Sequence, residues 1–258
     1  MPEPVLTAAV AALFGALIGS FLNVCVYRWP RDLSVVAPRS ACPSCSTLIA
    51  WYDNVPVLSY LALRGRCRNC ASPIGIQYPM VELATALIWA AAAMRFGPTV
   101  EALRSAVFFT ILLGISLTDA QHYIIPDQFS IGGTVVGLSF AALPGGLPFI
   151  QAVAGAVLGY GALWVIAWLG TKAFRKPAMG GGDVKMMAMV GAFLGPAGVV
   201  LTIFLGALFG ALIFGPISLR TGKHVPFGIF LALGAAIYHV WGDAIVDWYL
   251  ASHWYGGM

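Results

Sequence analysis

Residues 5–27 read VLTAAVAALFGALIGSFLNVCVY, a run of 23 residues without one charged side chain. A helix rises about 1.5 Å per residue, so roughly 20 apolar residues cross a hydrocarbon core of about 30 Å. The run therefore predicts a membrane-spanning helix. It has no basic segment ahead of it, carries Glu3, and leads directly into Arg28 and Arg31. Those flanks read as a retained span and not as a cleaved signal sequence. Cys25 lies inside the run and is expected to be a packing residue.

The rest of the chain follows the same pattern. Hydrophobic residues make up 60% and charged residues 9% of the 258, against about 25% charged in a soluble domain. Too few polar side chains remain to cover a water-facing surface. Further apolar segments fall near residues 79–95, 100–118, 128–143, 149–170, 183–195, 197–219 and 227–250. The expected fold class is an all-α polytopic membrane protein of about eight transmembrane helices, with a small cytoplasmic zinc-binding loop domain. The segment that ends at Gly195-Pro196 is short for a span. The expected organisation is a first helix over 1–27, a four-cysteine domain over 28–78, and a multi-helix membrane domain over 79–258.

Charge placement orients the chain. With the N-terminus outside, the inner loops hold Arg28, Arg31, Arg39, Arg64, Arg66, Arg68, Lys172, Arg175, Lys176, Lys185, Arg220 and Lys223; only Arg95 and Arg104 fall outside. This bias puts the polar loop in the cytoplasm and both termini outside. Tyr27, Trp29, Trp248 and Tyr249 suit interfacial anchoring. No basic stripe with interleaved aromatics occurs, so the bilayer and not nucleic acid is the expected partner.

The polar loop contains Cys42-Pro-Ser-Cys45 and Cys67-Arg-Asn-Cys70, with 21 residues between the pairs. Two such turns place four thiolates around one tetrahedral Zn²⁺, and four cysteines leave no open position for water, so the zinc is expected to be structural. Arg64, Arg66 and Arg68 are expected to help keep the thiolates ionised. Disulfides or free thiols are the alternatives, and a cytoplasmic loop disfavours the former.

Ten acidic residues occur in the chain, and two lie at predicted inner helix ends within motifs. One motif runs Leu117-Thr-Asp119-Ala-Gln-His122-Tyr-Ile-Ile-Pro126-Asp127; the other is Gly180-Gly-Gly182-Asp183-Val-Lys185. Ionisable groups in such places are costly and mark functional sites. Two carboxyl groups that share a proton can activate water and protonate a leaving amide. Helix ends predict that Asp119 holds the shared proton and Asp183 is the base. Each is alternatively a solvated cap. Gly180 and Gly182 would let a peptide backbone approach; Lys185 would orient substrate or balance charge. Asp127 is expected to be an N-cap before it is a catalyst, and Glu82 a pocket or interfacial carboxylate. His122 and His224 are read as loop or interfacial residues and not as metal ligands.

The set of motifs resembles the bacterial type IV prepilin peptidases, the leader peptidase/N-methyltransferases of the GxGD aspartic protease class. The likeness runs through Gly19-Ser-Phe-Leu-Asn23-Val, Asn54-Val-Pro-Val-Leu-Ser-Tyr60, the cysteine pairs, Tyr78-Pro-Met-Val-Glu82, both aspartate motifs and Pro226-Phe-Gly228. The resemblance implies that Asp119 and Asp183 are catalytic and that Cys42, Cys45, Cys67 and Cys70 are the family's cysteines. It implies cleavage of basic leaders from prepilins and type II secretion pseudopilins after a glycine, at the cytoplasmic face of the inner membrane. It also implies methylation of the new N-terminus with S-adenosylmethionine, with residues 28–78 as the expected methyltransferase region and residues 79–258 as the aspartic peptidase domain. The rival readings are an ion or metal transporter using membrane carboxylates, a membrane thiol–disulfide oxidoreductase, and an assembly scaffold.

Overall fold

The structure, a computed structural model, describes residues 3–214 and 226–250. It consists of helices α1 (Glu3–Arg28), the short α2 (Leu58–Ala62), α3 (Gln77–Phe96), α4 (Val100–His122), α5 (Asp127–Ala141), α6 (Phe149–Phe174), α7 (Gly181–Phe209) and α8 (Phe227–Leu250). Among the described residues no strand forms beyond two isolated bridges. In lipid every backbone N–H and C=O must find a partner within the segment, and helices are the solution. Large apolar side chains such as Leu13, Phe14, Leu17, Trp164 and Phe204 are exposed on these helices. Against hydrocarbon that exposure carries no penalty.

Among the described residues five helices are long and apolar enough to cross a membrane, fewer than the eight spans expected. The difference lies in three places. Helix α5 has only 15 residues, α8 is a 24-residue helix of which Phe227–Gly242 is the part counted as apolar, and the segments on either side of Gly195 join within α7. That join is not a straight helix. Gly195 has φ 72° and ψ −175°, and Pro196 follows it. A Cβ placed on Gly159 would overlap the Met187 carbonyl and lie 3.3 Å from Val199 Cγ2. In a straight helix residues 187 and 199 stand about 18 Å apart. The chain therefore folds back at Gly195, and only a residue without a Cβ adopts that backbone freely.

The chain clusters into two compact units, Met1–Thr110 and Ile111–Met258, divided within α4. In the first, α1 meets α3 through small residues. A Cβ on Gly15 would lie 2.7 Å from the Thr85 carbonyl oxygen, and one on Gly19 would lie 2.8 Å from Glu82 Cα. Cys25 is buried here, as a packing residue should be. In the second unit α7 touches α5, α6 and α8. Its Met186, Met187, Met189 and Val190 are fully enclosed. Helices α6 and α7 approach until the backbones of Gly155 and Gly191 touch, so that a Cβ on either would overlap the other's carbonyl. Close backbone contact of this kind is how helices associate where no hydrophobic effect drives them together.

Gly191→Leu should lower the apparent Tm of the detergent-solubilised protein by about 5 °C or more, since overfilling so tight a contact costs about 1–3 kcal/mol. Gly161→Leu, at a glycine where an added Cβ would meet nothing within 4 Å, should leave Tm unchanged within about 1 °C. Thermal unfolding of the two variants beside the parent checks both.

Candidate active site and metal centre

Asp119 lies in the last turn of α4 and is 6% exposed. Its Oδ2 accepts the backbone N–H of Ile229 at 3.2 Å. Ile229 is in the first turn of α8, where backbone N–H groups have no partner inside the helix. Gly228 faces the same carboxyl group: a Cβ there would lie 2.9 Å from Asp119 Oδ2 and 2.9 Å from Ile125 Cδ1. The Pro226-Phe-Gly228 segment is thus the wall behind Asp119, a role its sequence alone did not reveal.

Asp183 is half-buried in the first turn of α7, whose N-cap is Gly180. A backbone hydrogen bond from Gly180 holds its carboxylate, and the carboxyl group of Asp119 is close enough to act on its charge. The two acids, 64 positions apart in the chain, are brought to one corner of the second unit. Ile125 joins them: it lies against Gly228, and a Cβ on Gly182 would come within 3.0 Å of its own Cβ.

Lys185 and Asp127 also meet. Lys185 Nζ donates to both carboxylate oxygens of Asp127, at 2.7 and 2.9 Å. Asp127 is the first residue of α5; Pro126 is the N-cap, and no side-chain cap bond forms. The expected N-cap role of Asp127 therefore gives way to an ion pair between the starts of α5 and α7. His122 is the last residue of α4 and not a loop residue. His224 lies outside the described residues.

In the first unit the sulfurs of Cys42, Cys45, Cys67 and Cys70 all lie within 4.8 Å of one another. Tetrahedral coordination with Zn–S near 2.3 Å separates sulfurs by about 3.8 Å, and Cys42 Sγ to Cys70 Sγ measures 3.8 Å. All four thiols are free. Two matching turns build the cluster. Cys42 N–H donates to Thr47 and Ser46 N–H to Cys42, while Cys67 N–H donates to Ser72 and Ala71 N–H to Cys67. Ser46 and Ala71, the residues after each pair, both have positive φ. The group of atoms suits one metal ion.

Backbone N–H groups of Ser44 and Cys45 and the Ser72 hydroxyl hold the Cys42 thiol down to about 6, well below an ordinary cysteine. The arginines do not supply this effect. Arg68 is taken by Asp53, with Nε to Oδ2 at 2.8 Å and Nη2 to Oδ1 at 2.6 Å, and the guanidinium holds the Asp53 carboxyl below its usual range.

Glu82, expected as a pocket or interfacial carboxylate, is enclosed by protein. It is 8% exposed, and its Oε2 accepts the Val57 N–H at 2.7 Å. Val57 itself has φ 61° and ψ −49°, and Leu58 N–H closes a tight turn onto the Pro56 carbonyl at 2.6 Å. This γ-turn of the strained hand is rare for a β-branched residue.

The comparisons agree along the chain. Residues 13–96 match the family model of the bacterial peptidase A24 N-terminal domain, and residues 106–215 match that of the type IV leader peptidase family. A prepilin leader peptidase/N-methyltransferase of Aeromonas hydrophila is 36% identical, over 96% of each chain. One from Pseudomonas aeruginosa is 38% identical over 96% of this chain and 95% of its own. One from Myxococcus xanthus is 38% identical over 86% of this chain and 66% of its own. No solved structure matches. Family models and relatives of this identity and coverage place the chain in the type IV leader peptidase family.

Proposed function

We infer that this multi-pass membrane protein is a prepilin leader peptidase/N-methyltransferase, and we propose Asp119 and Asp183 as its catalytic pair. The observation that carries the proposal is that Ile125 lies against Gly182, the neighbour of Asp183, and against Gly228, which also faces Asp119, so that two acids from distant helix ends border one partly enclosed corner. One carboxylate takes a proton from water as the oxygen attacks the scissile carbonyl. The other, protonated, gives its proton to the departing amide nitrogen. No covalent intermediate is required.

Helix ends do not assign the shared proton. Asp119 closes α4, but it also faces the N–H groups that open α8, so both acids sit at helix N-termini. The pair titrates as a unit. The basic leader would lie outside the bilayer while the apolar helix of the substrate enters from lipid. Arginine and lysine bias supports a cytoplasmic active face at the inner membrane. Pseudopilins, which share that amphipathic design, are proposed as further substrates.

The four-cysteine cluster is proposed to hold one structural Zn²⁺. A loop region of about 50 residues cannot bury enough apolar surface to hold its shape alone, and a metal staple supplies the difference. S-adenosylmethionine is the proposed methyl donor, on the strength of the relatives' names.

Asp119→Asn and Asp183→Asn should each lower leader cleavage by about 10²-fold or more, read as the mass of a prepilin before and after incubation. Parent-like cleavage by either variant rejects the pair. Gly228→Ala should reduce the cleavage rate about tenfold or more with unchanged thermal stability, because the new methyl displaces the Asp119 carboxylate. Metal analysis in reductant should find one zinc per chain, and Cys67→Ser should lose most of it.

A further inference from the structure

Methylating an N-terminus makes a chemical demand, and the first unit, which holds the four-cysteine region expected to carry the methyltransferase, offers groups that can answer it. After cleavage the new terminus is an ammonium ion, whose nitrogen has no free electron pair. It must lose a proton before it can attack a methyl group. A proton acceptor has to stand beside it, with acceptors for its remaining N–H bonds.

Few groups in Met1–Thr110 qualify. The unit contains no histidine. Its acids are Glu3, Asp32, Asp53, Glu82 and Glu101. Glu3 and Asp32 are exposed. Asp53 is paired with Arg68 and Glu101 with Arg104. Of the five, Glu82 alone is buried, and its Oε2 takes the Val57 N–H.

Asn23 lies beside it. Gly19, one helical turn before Asn23, touches Glu82 Cα. The Asn23 amide nitrogen donates to the carbonyl of Tyr78, one turn before Glu82, at 3.1 Å, and to the carbonyl of Gly19 at 3.3 Å. Those two carbonyls fix which end of the amide is nitrogen. The other end, Oδ1, is buried with no hydrogen-bond partner among the described residues, in a side chain only 4% exposed. A buried acceptor left open is costly and calls for a donor. The third observation is Val57, whose strained turn aims its N–H at Glu82. Strain of this sort collects at functional sites.

A buried carboxylate, an orphan acceptor and a strained turn converge at the inner end of the α1–α3 seam. We propose that Glu82 and Asn23 form the methyl-acceptor site, which binds the newly exposed N-terminal ammonium and removes its proton. Asn23 Oδ1 accepts one N–H and Glu82 another. Glu82 takes the proton; the freed nitrogen pair then forms the N–CH₃ bond as the methyl–sulfur bond of a sulfonium donor breaks, its electron pair remaining on sulfur. The proton passes from Glu82 to solvent. The bond to Val57 ties the cysteine-bearing loop to this site, which accounts for a metal-stapled loop in a methyltransferase unit.

The inference rests on the methyltransferase reading, and the test separates the two. Purified full-length enzyme is given a prepilin and S-adenosylmethionine, and cleavage and methylation are read from product mass. A parent enzyme that cleaves but never methylates would sink the methyltransferase reading itself. In Glu82→Gln the amide oxygen still accepts the Val57 N–H, so cleavage and zinc content should stay at parent levels while methylation falls about 10²-fold or more. The residual methylation should rise with pH in proportion to hydroxide, whereas the parent rate levels off. Asn23→Leu should raise the KM for cleaved pilin in methylation without changing the KM for cleavage. Parent-like methylation by Glu82→Gln, or loss of cleavage and methylation together, overturns the proposal. So does a residual rate with the parent's pH profile, which would mark Glu82 as a structural tether.

Discussion

Ile125 sits between two glycines, and much of the second unit is organised by that contact. It lies where α4 has ended and α5 has not begun, with Gly182 of α7 on one side and Gly228 of α8 on the other. Three helix termini come together around one apolar side chain. Each glycine is needed because a Cβ would push Ile125 or Asp119 away. Once Ile125 is seated, the end of α4 presents Asp119, the start of α7 presents Asp183, and the start of α8 presents its N–H groups. The ion pair between Lys185 and Asp127 holds the same corner from outside. It is part-exposed on both partners, 39% and 56%, so it is a positional restraint more than a source of stability.

The fold-back of α7 at Gly195 serves the same end. The half of α7 before Gly195, residues 181–194, is short, about 21 Å at 1.5 Å per residue. A half that does not cross the full hydrocarbon thickness keeps its polar start near water. The proposed hydrolysis needs that, because its attacking water has to reach Asp183. The glycines that let α6 close onto α7 give this short element the contact area that a longer span would obtain by length.

What could be read from the sequence was what depends on composition and short spacing. The apolar segments became helices because each is locally sufficient to satisfy its own backbone. The cysteine pairs closed because a two-residue gap and a positive-φ residue after each pair build the turn locally. Asp119 and Asp183 stood out because acids are scarce in such a chain. What escaped depended on contacts between distant residues. Arg68 looked like a partner for thiolates until its position opposite Asp53 was known. Asp127 looked like a cap, yet the start of the helix is set by Pro126 and the carboxylate is drawn to Lys185. A count of hydrophobic windows could not tell a break from a reversal at Gly195, since both read as Gly-Pro between apolar runs. Glu82 stood out as an acid in an apolar segment, but its partner could not be read, because it lies 25 positions earlier in a turn no propensity predicts.

Placing both acids at helix N-termini has a consequence for how the site works. A single carboxylate facing backbone N–H groups is favoured as an anion, and two such carboxylates would both ionise if they were far apart. Here both border the corner around Ile125. The N–H of Ile229 donates to Asp119, and α7 opens at Gly180 close to Asp183. On the proposed mechanism one proton is held between the two sites. Such a pair can exchange roles within one turnover: the acid that has given its proton to the amide nitrogen is stabilised by its own helix start, and its partner is left holding the proton taken from water. Transfer of that proton restores the starting state without an external base, so a site with few polar residues can complete the cycle in a membrane.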